Sequence, residues 1–166
     1  MAVWSASHWK QLSALCAGFI LATVWFDLMF DTRIKDCCGA DCEAGELEQG
    51  MSVVAAYYKQ TTMDAFPMGF LLGFVMILGI VASYESWKRS HYLKYFMPLS
   101  LCGVAIIATA FGFPECMALG HSGGSPALLD RACHVLFLHQ MQVGILIVHI
   151  MVLFFGVRPS KGLRRD

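Results

Sequence analysis

Thr23, Asp27 and Asp31 recur every four residues in a stretch that is otherwise apolar. On an α-helix that spacing places all three on one face. Tyr57, Thr61 and Asp64 share a face in a second stretch, and Glu115 ends a third. In a fourth, Arg131, Gln142 and His149 fall within about 20° of one another at 100° per residue, with His134 about 60° to one side and His139 about 80° to the other. Carboxylates beside imidazoles can move protons near neutral pH or ligate Zn, Fe or Mn. Inside a membrane such groups are costly, and each one there is a functional hypothesis.

The spacings predict a polar cluster at the outer end of the helices. Asp27, Asp31, Asp64, Glu115, Arg131 and His134 converge there, with His139 and Tyr57 within reach. His149 falls deeper, alone or with Gln142. As catalytic groups, Asp64 and His134 supply acid–base or ligand atoms and Arg131 orients an anionic or carbonyl oxygen. As a metal centre, the candidates are Asp27, Asp64 and His134, although no H-E-x-x-H occurs. A bis-His haem is disfavoured, because His134, His139 and His149 share one helix and no histidine of the other runs faces them within the membrane. The sequence names no cofactor. The structural alternative is an interhelical network in which Arg131 neutralises Asp27 or Asp64, since buried charges need partners.

Four apolar runs must position these groups: residues 12–30, 66–84, 96–113 and 135–157. Each approaches the ~20 residues that a helix needs to cross ~30 Å of hydrocarbon. The chain has 166 residues, 57% hydrophobic and only 14% charged, and its mean hydropathy is +0.59. Four all-apolar helices in so short a chain leave no amphipathic layer to cover them in water. The expected fold is all-α, a single membrane domain forming a four-helix transmembrane bundle. Lys plus Arg equals Asp plus Glu, at 12 each. With no basic stripe, nucleic acid is set aside as a partner. The bilayer is the expected partner, with other membrane subunits or a second copy of the chain as further candidates.

The first run is longer than a secretory h-region and ends in Trp25-Phe26-Asp27, so it reads as an uncleaved anchor. Lys10, Lys88, Arg89, Lys94, Arg158, Lys161, Arg164 and Arg165 fall on one side of the membrane; Arg33, Lys35, Lys59 and Arg131 fall on the other. The positive-inside rule then places both termini inside, N-in and C-in. Outer loops are expected at 32–50 and 114–130, the second loosened by Gly120, Gly123, Gly124 and Pro126. The second helix extends from about 52 to 85, with a kink at Pro67. Pro98 suits the first turn of the third helix. Gly69, Gly73 and Gly79 predict close helix packing within the bundle.

Of seven cysteines, Cys16 and Cys102 lie in the spans and Cys37, Cys38, Cys42, Cys116 and Cys133 on the outer side. Five thiols allow at most two disulfides and leave one over. In an oxidising compartment, bridges from the first outer loop to Cys116 or Cys133 are expected as staples. Loop cysteines on four helices also resemble thiol oxidases that pass electrons to a quinone, although no Cys-x-x-Cys is present.

Phe26-Asp27-Leu28-Met29-Phe30-Asp31, Tyr57 through Met68, and Arg131-Ala132-Cys133-His134 with His139 are similar in outline to small four-helix membrane proteins of the anthrone-oxygenase-like kind. That resemblance implies a four-helix fold with polar residues gathered at one membrane face. It also allows an oxidoreductase acting on a hydrophobic aromatic substrate. The favoured reading of the sequence is a structural or assembly component whose polar cluster fixes helix packing. The alternatives are a membrane oxidoreductase on a lipophilic substrate and a thiol/disulfide redox protein.

Overall fold

The computed structural model describes residues 5–39, 42–64 and 66–155, and of residues 63 and 66–68 the backbone alone. The basic residues of the tail, from Arg158 on, and the expected end of the fourth run at 157 lie outside the described residues. Every regular element among them is helical. They are α1 (Ala6–Asp31), α2 (Ala44–Lys59), α3 (Phe66–Trp87), α4 (Leu93–Ile106), α5 (Phe113–His121) and α6 (Leu129–Phe155). Short 3-10 turns cover Thr32–Cys38 and Pro126–Leu128, and wide π turns cover Gln60–Asp64 and Ile107–Gly112.

Four helical stretches are long and apolar enough to cross a membrane: Ala6–Cys38, Gly69–Trp87, Leu93–His121 and Pro126–Phe155. α1 packs on α3 and α6, and α3 on α4. Ile20, Leu101, Val104 and Leu146 fill the seam with almost no exposure. The outer circumference is apolar as well, with Phe70, Phe74, Ile77, Leu99 and Phe154 all more than 60% exposed. A water-facing protein rarely shows so continuous an apolar surface.

The two prolines in the half that holds α2 and α5 do not act as expected. Pro67 is the second residue of α3, where its missing N–H is harmless, and the break in the expected 52–85 helix lies before it, in the π turn. Pro114 does not start a loop. The helix widens through Ile107–Gly112, with the Phe113 N–H reaching back to the Ala108 carbonyl, and continues as α5 to His121. A proline removes one i→i−4 donor, and a π turn re-pairs the carbonyls left behind it. Pro98 lies six residues into α4 rather than in its first turn.

The expected outer loops are therefore mostly helix. α2 and α5 pack together over the ends of α1 and α6, around Ile34, Met51, Val54, Tyr58 and Leu119. Two of the three glycines expected to loosen the second loop tighten it. A Cβ on Gly120 would sit 2.9 Å from the Lys59 backbone nitrogen. One on Gly124, at φ +89°, would sit 2.9 Å from the Ser52 Cα. Among the small residues of α3, Gly79 meets Cys16 closely, whereas Gly69 and Gly73 face open space.

Candidate functional site: two polar nodes in the bundle

Two polar nodes are called inner and outer after the expected orientation; the inner one takes one polar side chain from each of four helices, Ser13 from α1, Ser83 from α3, Ser100 from α4 and His149 from α6. His149 Nδ1 lies 2.7 Å from Ser100 Oγ, and its Nε2 lies 3.4 Å from Ser13 Oγ. Ser13 Oγ is 2.7 Å from Ser83 Oγ. Ser83 donates to the Gly79 carbonyl and Ser100 to the Met97 carbonyl. Ser13, Ser83 and His149 have no exposure. His149 is thus neither alone nor with Gln142, as expected, but held by Ser100 and Ser13, with Ser83 behind Ser13. Their signal in the sequence was a hydroxyl in each of the other three apolar runs.

The outer node is built on the predicted face of α1. Asp31, 1% exposed, accepts from the Tyr58 hydroxyl at 2.5 Å, and His139 Nδ1 lies 2.6 Å from its second oxygen. One turn deeper, Asp27 accepts from the Tyr57 hydroxyl, and its second oxygen lies 4.0 Å from His139 Nε2. The imidazole therefore stands between two carboxylates. With Asp31 holding Nδ1–H, Nε2 is the nitrogen turned toward Asp27, the arrangement in which a carboxylate fixes a histidine's tautomer. Phe30 stacks on the Tyr57 ring at 3.9 Å between centroids, 7° from parallel. Burial above all, with the neighbouring carboxylates adding to it, pushes the Tyr57 and Tyr58 hydroxyls up from the ordinary phenol range, so both remain donors.

A cavity of about 290 Å³ opens beside Asp27. Tyr57, His139, Gln142, Cys116 and Thr23 are among its walls. Gln142 is 1% exposed, and its Nε2 has no hydrogen-bond partner among the described residues. Leaving a buried amide unpaired costs about 1–3 kcal/mol.

The expected cluster divides. Asp27, Asp31, Tyr57 and His139 come together, with Gln142 beside them. Asp64 and His134 do not join; both are exposed, and neither has a hydrogen bond or ion pair among the described residues. Asp64 loses the face of Tyr57 because the π turn, with its i→i+5 bonds, winds less per residue. His134 turns outward because the buried face of α6, along Val135, His139, Gln142, Leu146 and Leu153, is centred on the His139 side of the expected arc. Arg131 neutralises neither Asp27 nor Asp64. It lies 3.4 Å from Glu115, half-exposed, at the edge of the bundle. Asp27, Asp64 and His134 thus do not form a ligand set, and among the described residues no three His, Cys, Asp or Glu side chains are placed to hold a metal ion. Tyr58 was missed. Its neighbour Tyr57 satisfied the one-face rule, but Asp27 and Asp31 each need a separate donor.

Two cysteine pairs lie at disulfide distance, Cys37–Cys42 and Cys38–Cys133, with Cα separations of 4.7 and 5.7 Å. Cys116, the fifth cysteine of the expected outer set, is free and buried in the cavity wall. The second pair ties the end of the first span to α6, six residues before His139. In comparisons with protein-family models, curated proteins and solved structures, nothing matches the chain.

Proposed function

We propose that this is a multi-pass membrane protein, N-in and C-in, whose outer node binds a lipophilic carbonyl or hydroxyl compound and moves a proton on it. Asp27 is the acid–base group. His139 relays the proton, with Asp31 orienting it, and the Gln142 amide donates to the bound oxygen. The observation that carries this reading is the pairing of an Asp–His–Asp array with a cavity holding an unpartnered buried amide. Substrate cavities join an apolar lining to a few convergent polar groups, and a base near a carboxylate-held imidazole suits proton transfer. The anthrone-oxygenase-like resemblance enters here as a proposal, on Asp27 and His139 rather than on Asp64 and His134. The basic loops support the orientation, which places both cysteine pairs on the outer side.

The test is deuterium exchange at the carbons flanking the carbonyl of a long-chain methyl ketone, with protein in phosphatidylcholine vesicles. Asp27 would remove one proton and return a solvent-derived deuteron. Exchange above the protein-free rate is expected, falling at least tenfold in Asp27→Asn and His139→Gln and unchanged in Ser100→Ala. Exchange no faster than in empty vesicles would overturn the acid–base reading and return the cluster to a packing role.

A further inference from the structure

Gly69 and Gly73 open a path rather than a packing surface. A Cβ at either position would meet nothing within 4 Å, although both glycines lie on a helix of an otherwise packed bundle. They line a second hollow, of about 370 Å³, with Phe70, Thr109 and Phe113. It runs between α3 and the π turn Ile107–Gly112, on the apolar circumference where Phe70 is 70% and Phe113 45% exposed. The hollow shares Thr61, Thr62, Gly69, Leu72 and Met76 with the walls of the polar cavity. The two spaces therefore adjoin along these walls, and taken together they make a passage apolar at its mouth and polar at its end.

The passage also specifies a head group. Among the described residues its polar end holds the Asp27 carboxylate and no lysine or arginine. An anionic phosphate or carboxylate head would meet the like charge of Asp27, with Asp31 behind it, against the single imidazole of His139 that those two carboxylates already hold. Gln142 supplies an unused donor and Asp27 an acceptor, which together match a neutral hydroxyl.

We infer that the ligand is a neutral, hydroxyl-bearing amphiphile that enters sideways from the lipid between Gly69 and Gly73 on α3 and Phe113 on α5, its hydroxyl at Asp27 and Gln142 and its apolar tail along the glycines. This rests on the reading of the cavity as a ligand site. The passage is built by the same π turn that carries the third helix past Pro114. Leucine at position 73 would fill open space and block the mouth, leaving the helix contacts intact.

The experiment is photolabelling with a diazirine-tailed alkylphenol, with the protein in phosphatidylcholine nanodiscs and labelled peptides read by mass spectrometry. Label is expected on the peptides holding Gly69–Met76 and Phe113. Excess 4-dodecylphenol should displace it, while dodecanoate and dodecylamine should compete at least tenfold less well. Gly73→Leu should reduce labelling at least tenfold without lowering the unfolding temperature. Asp27→Asn should weaken labelling with the mouth unchanged. Labelling lost in Asp27→Asn but unchanged in Gly73→Leu would overturn the lateral path and leave the site standing. Dodecanoate or dodecylamine competing as well as the phenol would overturn the neutral head group. No specific labelling of the wild type would remove the ligand site itself.

Discussion

The inner and outer nodes solve the same problem in opposite ways. Each places a histidine of α6 against polar groups of other helices inside an apolar bundle. At the inner node the partners are neutral hydroxyls, each with an acceptor of its own, and both ring nitrogens of His149 are engaged. At the outer node the partners are two carboxylates and two phenols, a cavity stands beside them, and one amide has no partner. A satisfied, closed network fixes helix register. An open one that retains an unpaired donor has room for a ligand to complete it.

The largest expected difference between them lies in Asp31. Asp31→Ala leaves the Tyr58 hydroxyl and His139 Nδ1 without their acceptor in a buried setting, and should cost about 3–5 kcal/mol by thermal or denaturant unfolding in mild detergent. Ser100→Ala removes two neutral hydrogen bonds of the inner node, to His149 Nδ1 and to the Met97 carbonyl, and should cost about 1–3 kcal/mol. Equal losses would mean that the outer carboxylates are no more deeply coupled than a serine. Cys38→Ser comes between the two. The Cys38–Cys133 link closes a loop of 95 residues, and opening it should cost about 2–4 kcal/mol by loop entropy, read as a lower unfolding temperature under non-reducing conditions only.

A smaller effect is expected from pH. Tyr57 and Tyr58 have hydroxyls raised above their unfolded value, so their contribution to stability is complete below a pH of about 10. It is lost as pH climbs beyond that toward the raised folded values. Ultraviolet difference spectra should show two tyrosines ionising only with unfolding, and Tyr57→Phe should remove one of them. Free titration of all five tyrosines in the folded protein would contradict the buried pairs.

The helices and the polar face of α1 followed directly from the sequence, because apolar length and four-residue spacing are properties of single helices. Asp27 and Asp31 accordingly stand where spacing put them. The bounds of the third helix did not follow, since a π turn that lets a helix pass Pro114 leaves no periodic mark. The same device at Gln60–Asp64 moved Asp64 out of the cluster. Cysteine count gave two pairs and one spare thiol but left the partners open, and the pairing that the structure shows, Cys38 with Cys133, depends on how α6 meets the end of α1. The role of Gly69 and Gly73 was invisible for a related reason: the same pair of glycines can close a contact or open a groove, and only the neighbouring helix decides.

The most direct test of the difference between the nodes is Gln142→Leu, followed by unfolding and by native mass spectrometry from phosphatidylcholine nanodiscs supplied with 4-dodecylphenol. Replacing an unpaired buried amide should raise stability by about 1–3 kcal/mol, while the single equivalent of phenol held by the wild type is lost. A less stable variant that still holds the phenol would show Gln142 to be a packing residue and the outer node to be as closed as the inner one.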